Sequence, residues 1–117
     1  MKNIQLTCAH ALIKYLIAQK TLIDGKKVPL FPGVFGIFGH GNVACLGQAL
    51  QENQKDLPTW RGHHEQNMAL TGIAYSRAKR RKQIFVATSS VGPGSTNMIT
   101  AAAVAMSNRI PILFLPG

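Results

Sequence analysis

Apolar residues alternate along the chain between two spacings. Ala9, Leu12, Ile13, Leu16 and Ile17 recur three and four apart, with Lys14 and Gln19 off that stripe. This predicts a helix capped by Thr7 and running to about Gln19. Val34 to Phe38 is a short, nearly unbroken apolar run, the pattern of a strand covered on both faces. Val43 to Gln51 returns to helical spacing. Thr59 to Arg61 is a candidate short strand. Met68, Leu70, Ile73 and Ala74 then mark a helix that opens at Glu65, with Ala69 and Gly72 small enough for close packing. Gln83 to Thr88 is a second buried-type strand. Ser95 or Thr96 caps an Ala- and Met-rich helix through Ser107, and Pro111 opens a strand at Ile112–Leu115.

The segments between are polar or rich in Gly and Pro. Lys20 to Pro32, with Asp24-Gly25, Lys26-Lys27 and two prolines, reads as loop, as does Asn53 to Pro58. Gly39–Asn42 and Ser89–Gly94 read as strand-to-helix turns. A leading helix followed by strand–helix alternation predicts an α/β fold: a doubly wound, mainly parallel sheet flanked by helices.

Composition narrows the class. The 117 residues allow one domain, and 46% apolar content is enough for a packed core. The formal charge is +9, from 13 Lys and Arg against 4 Asp and Glu. Much of the excess lies in Arg77–Lys82 (RAKRRK), where cations complement a helix C-terminus. No aromatic platform or recognition motif accompanies that run, so no nucleic-acid partner is expected. Cys8 and Cys45 lack metal or redox spacing and read as buried thiols. Lys14 interrupts the first apolar segment and no run approaches the roughly 20 residues that span a bilayer. A cytoplasmic, reducing setting without a membrane partner is expected.

Among the acidic residues, Glu65 alone opens an apolar helix. Its ordinary role is to complement the helix dipole; the alternative is a buried carboxyl facing a ligand and moving a proton. His63-His64-Glu65 invites a zinc reading through H-E-x-x-H, but Met68 stands where the second histidine is required, so that reading fails. Gly39-His40-Gly41-Asn42 does not match the G-x-G-x-x-G dinucleotide fingerprint. It either makes a tight turn with His40 exposed or lets a ligand approach at a strand end.

Two stretches together, HEQNMALTGIAYSR from His64 and TSSVGPGSTN from Thr88, resemble the pyrimidine-binding domain of thiamine diphosphate enzymes of the acetolactate synthase type. Within that family, the G-H-G-N-V segment (Gly39–Val43), the long insertion Leu22–Gly33 and the doubled serine before G-P-G are similar to the branch that hydrolytically opens a cyclic 1,2-dione in myo-inositol breakdown. The resemblance implies thiamine diphosphate and Mg2+ as cofactors, with the ligands of the metal outside this segment, since the family's Gly-Asp-Gly motif is absent. It implies Glu65 as the catalytic carboxyl on the pyrimidine ring nitrogen and Pro93, Asn97 and Gly41 as further cofactor-binding positions. His40 becomes a candidate for substrate hydroxyl binding or proton transfer. It also implies a homo-oligomer, dimer or tetramer, with the cofactor between subunits, and residues 1–117 as an N-terminal domain incomplete at its C-terminus. A carboligase or decarboxylase of 2-oxo acids, and a binding fragment without turnover, remain as alternatives.

Overall fold

The computed structural model describes residues 3–117. Helix α1 (Cys8–Ala18) leads into the strands β1 (Lys20–Ile23) and β2 (Lys26–Pro29), which pair antiparallel. Strand β3 (Val34–Gly36) follows. Then comes a helical stretch in three parts: α2 (Gly39–Asn42), a π-helical turn (Val43–Gly47) and α3 (Gln48–Glu52). Strand β4 (Thr59–Arg61), α4 (Glu65–Ala78), β5 (Val86–Thr88), α5 (Pro93–Thr96), α6 (Ile99–Asn108) and β6 (Leu113–Leu115) complete the order.

Strands β3 to β6 form one parallel sheet in the order β4-β3-β5-β6. The chain steps from β3 to β4 on one side, then crosses back past β3 to reach β5. Parallel crossovers are right-handed, so steps in opposite directions place their helices on opposite faces. The core divides accordingly. Ile13 and Leu16 of α1 pack with Leu46, Ala49 and Leu50 around Val34 and Val86. On the other face Ala69 and Ile73 of α4 pack with Met98, Ala101 and Ala105 around Ala87. Neighbouring Val86 and Ala87 serve opposite cores, as the pleat requires. The doubly wound α/β architecture expected from the element order is the one observed.

Local departures have physical causes. Lys20–Pro32 is not loop throughout, because Asp24 (φ 49°) and Gly25 (φ 76°) form the two-residue left-handed turn of a hairpin. Leu22 points outward while Thr21 and Ile23 are half-buried, so the alternation that marks a strand is scrambled. Gln83 anchors the hairpin. Its Nε2 donates to the Pro29 carbonyl (2.8 Å) and its Oε1 accepts from the Tyr75 hydroxyl (3.0 Å). Burial pushes the Tyr75 phenol above its ordinary pKa.

The helix expected over Val43–Gln51 begins earlier, at Gly39, and carries the π turn. Cys45 and Cys8 are exposed rather than buried. Leu46, Ala49 and Leu50 define the inward stripe and Cys45 lies off it, while Cys8 sits at the open end of α1. His10 ties α1 to α3: Nδ1 pairs with Thr7 Oγ1 (2.7 Å) and Nε2 with Glu52 Oε2 (2.8 Å). His10, aided by Gln48, holds the Glu52 carboxyl below its ordinary pKa, so any stability it adds is lost as pH falls through that lowered value.

On α4 the inward face is Met68, Ala69, Gly72, Ile73 and Ser76, with Ala74 exposed. A Cβ at Gly72 would lie 3.1 Å from both Phe85 Cβ and Ile112 Cδ1, so the missing side chain sets how closely α4 approaches the sheet. The basic run after α4 is partly structural. Arg81 Nε donates to the Arg109 carbonyl (3.0 Å) and Nη2 to that of Asn108 (3.4 Å), filling the open carbonyl end of α6.

Two outcomes follow for chemical denaturation. Leu50→Ala, at a side chain 1% exposed, is expected to cost about 3 kcal/mol through lost burial and a residual cavity. Gly72→Ala sets a helix-propensity gain of about 1 kcal/mol against overpacking of about 1–3 kcal/mol. Because the contact is with a Cβ fixed to the sheet, overpacking wins and the variant unfolds at lower urea; a more stable variant would show that α4 has room to shift.

Candidate active site

Parallel strands end together, so the loops after β3, β4, β5 and β6 emerge along one edge, where open α/β sheets gather ligands. After β4, Gly62 packs against the Met68 side chain and His64 is extended, which turns the chain directly into α4. Glu65 is the first residue of that helix and is 9% exposed.

Its carboxyl makes no ion pair among the described residues. Asn97 Nδ2 donates to Oε2 at 3.1 Å. Oε1 has no hydrogen-bond partner among the described residues and lies over Gly94: a Cβ there would be 2.9 Å from Oε1 and 2.5 Å from Ser90 Oγ. Glu65 therefore occupies the first helical turn, where negative charge is favoured, and is also a buried carboxyl with one oxygen open.

The G-P-G turn supplies the rest of the wall. Pro93 opens α5 at a first-turn position, where its missing N–H costs nothing. Ser95 Oγ donates to the Ser90 carbonyl (2.9 Å) and lies 3.2 Å from Ser89 Oγ. Asn42 Nδ2 donates to the Ser89 carbonyl (3.2 Å), which joins the loop after β3 to the loop after β5. Gly39 has φ +65°, and a Cβ on it would lie 2.5 Å from Ser90 Cβ. Ser90 is thus clasped between Gly39 and Gly94.

Of the residues singled out from sequence, Glu65 and Asn97 are brought into direct contact. Pro93 is exposed at the start of α5, one residue before Gly94. Gly41 and His40 are exposed on α2. A Cβ on Gly41 would meet nothing within 4 Å, and His40 hydrogen-bonds no described residue, so both face open space. Sequence reasoning missed Gly94, Ser90 and Asn42 as site residues, although the doubled serine and the glycine pair were visible signals. A separate cavity of about 530 Å³ lies between β3, β4 and α3, lined by Phe38, Val43, Leu50, Gln51 and Arg61 among others. Among the described residues no group of three His, Cys, Asp or Glu side chains is placed to hold a metal ion, and no helix is long and apolar enough to cross a membrane.

Residues 32–117 match the family model described as thiamine pyrophosphate enzyme, N-terminal TPP binding domain. Over all 117 residues the chain is 51% identical to 3D-(3,5/4)-trihydroxycyclohexane-1,2-dione hydrolase of Clostridium tetani and 53% identical to the protein of that name from Geobacillus thermodenitrificans. It covers 18% of the length of each. The match spans the sheet, the Glu65 helix and the G-P-G turn as one piece, and on that ground the chain belongs to the thiamine pyrophosphate enzyme family, through its N-terminal TPP-binding domain.

Proposed function

We propose that residues 1–117 are the N-terminal pyrimidine-binding domain of a thiamine diphosphate-dependent hydrolase that opens the ring of trihydroxycyclohexane-1,2-dione in myo-inositol degradation. The observation that carries the reading is Glu65, buried with Oε1 open beside the G-P-G turn, in a chain half identical to proteins of that name. The donor set suits a pyrimidine. A ring nitrogen needs a group that can share a proton with it, and Oε1, on a side chain 9% exposed, reaches the surface of the site without a hydrogen-bond partner among the described residues. The bare Gly94 floor leaves that oxygen unobstructed.

When bound, thiamine diphosphate would supply a carbon nucleophile and an electron sink for carbon–carbon cleavage. Glu65 holds a proton at Oε1 and shares it with the ring nitrogen. Asn97 occupies Oε2 and keeps the carboxyl plane fixed. Pro93 stiffens the turn that would face the ring, and Gly41 leaves the backbone bare where the ligand would approach. His40, exposed on the neighbouring loop, binds a substrate hydroxyl or moves a proton there. The overall reaction adds one water across the carbon–carbon bond between the two adjacent carbonyl carbons, giving a ring-opened acid. Mg2+ and the diphosphate are held by residues outside this chain. The working enzyme is a cytoplasmic homo-oligomer, dimer or tetramer, with the cofactor at a subunit interface, and it engages neither nucleic acid nor membrane.

The test uses the complete enzyme. It is expected to consume the cyclic dione with water and to leave pyruvate untouched; acetolactate formation from pyruvate in place of dione cleavage overturns the substrate assignment. Glu65→Gln keeps size and hydrogen bonding but cannot share an acidic proton, so turnover is expected to fall by about 10²–10⁴. Proton exchange at the thiazolium carbon should slow with it. Exchange as fast as in the parent removes Glu65 from the activating role.

A further inference from the structure

We propose that Ser90 is a positioning residue for Glu65, its hydroxyl completing the hydrogen bonding of Oε1 while Asn97 serves Oε2. This rests on Glu65 being the proton-bearing group described above. Ser90 is the second serine of the pair before G-P-G, and the two have different surroundings. Ser89 is fully buried and its hydroxyl lies 3.2 Å from Ser95 Oγ. Ser90 is half-buried, and its hydroxyl bonds no described residue. Its side chain is pinned nonetheless, because Gly39 closes on its Cβ from one turn and Gly94 on its Oγ from the other.

Ser90 Oγ and Glu65 Oε1 approach the same point above the Gly94 Cα, at 2.5 and 2.9 Å from where a Cβ would stand. Both distances are too short for a real Cβ, so only a glycine fits beneath the two oxygens. The pinned Oγ still turns its hydrogen freely toward Oε1, directly or through one bridging water with two polar partners already in place. The chemistry of the two flanking groups divides the carboxyl's oxygens. An amide N–H only donates, so Asn97 favours Oε2 as the unprotonated oxygen. A hydroxyl both donates and accepts: Ser90 donates to Oε1 when the carboxyl is ionised and accepts from it when the proton is present. Asn97 and Ser90 together therefore put the exchangeable proton on Oε1, the oxygen that faces the cleft.

The chain contains only two glutamates, Glu52 and Glu65, so 13C labelling of glutamate Cδ gives two carboxyl signals, and Glu52→Gln assigns them. The reading is the solvent isotope shift of the Glu65 signal between H2O and D2O, which reports exchangeable protons bonded to that carboxyl. It is expected to fall by half or more in Ser90→Ala and to stay at the parent value in Ser89→Ala, with Glu52 unmoved in both. A Glu65 isotope shift in Ser90→Ala equal to the parent's overturns the proposal. So does an equal loss in both serine variants, which marks a general loosening of the turn. The measurement is made without cofactor, so its failure leaves the Glu65→Gln outcome untouched, and failure of the cofactor assignment leaves this pairing standing.

Discussion

A carboxyl group that leaves water loses hydration worth several kcal/mol, roughly, even after the protein relaxes around it. Glu65 is 9% exposed and no cation answers it among the described residues. Its compensation comes from two neutral sources. The α4 N-terminus offers about 0.3–1 kcal/mol, more where partly buried. The Asn97 amide adds a charge-assisted bond of about 1.5–3 kcal/mol. Together they hold the carboxyl at the cleft without a salt bridge. Everything else in the architecture bears on keeping it there.

The sheet order performs that task. Because β4 and β5 lie on either side of β3, the helices that lead into them, α3 and α4, take opposite faces, and each face builds its own core. Helix α4 starts at the strand-end edge and is pressed to the sheet through Ala69 and Gly72. Its first residue cannot retreat into solvent without lifting that interface. The G-P-G turn then brings Asn97 and Gly94 in from β5, and Asn42 ties the β3 loop to the same turn. The loops after β4 and β5 thus meet at one carboxyl and the loop after β3 braces the second of them, an arrangement no single segment could have built.

Much of this was legible in the chain itself. The apolar runs at Val34–Phe38 and Gln83–Thr88, the helix from Glu65 and the turn at Ser89–Gly94 all announced a parallel α/β sheet, and the sheet is there. What stayed hidden was decided by long-range packing. The Lys20–Pro29 hairpin hides because Leu22 faces out, so its spacing carries no period-two signal. Cys45 and Ala74 were misplaced because a helix has more apolar residues than its inward stripe holds. The contact of Asn97 with Glu65 crosses 32 positions of sequence, and the role of Gly94 exists only once both are placed. Arg81 read as one cation in a run that complements the end of its own helix, yet its guanidinium closes the end of α6.

The clasp of Gly39, Ser90 and Gly94 bears on how such a site changes over generations. A side chain added at either glycine meets Ser90 at 2.5 Å, and a longer residue at Ser90 meets both loops at once. No one of the three can grow alone without opening the gap between the β3 and β5 turns. The positions form an epistatic unit: a lineage that exchanges the serine for something larger must rebuild both flanking turns in the same interval. Such a unit is slow to drift, and when it does move it moves as a block, so a family can separate here into discrete branches with few sequences in between.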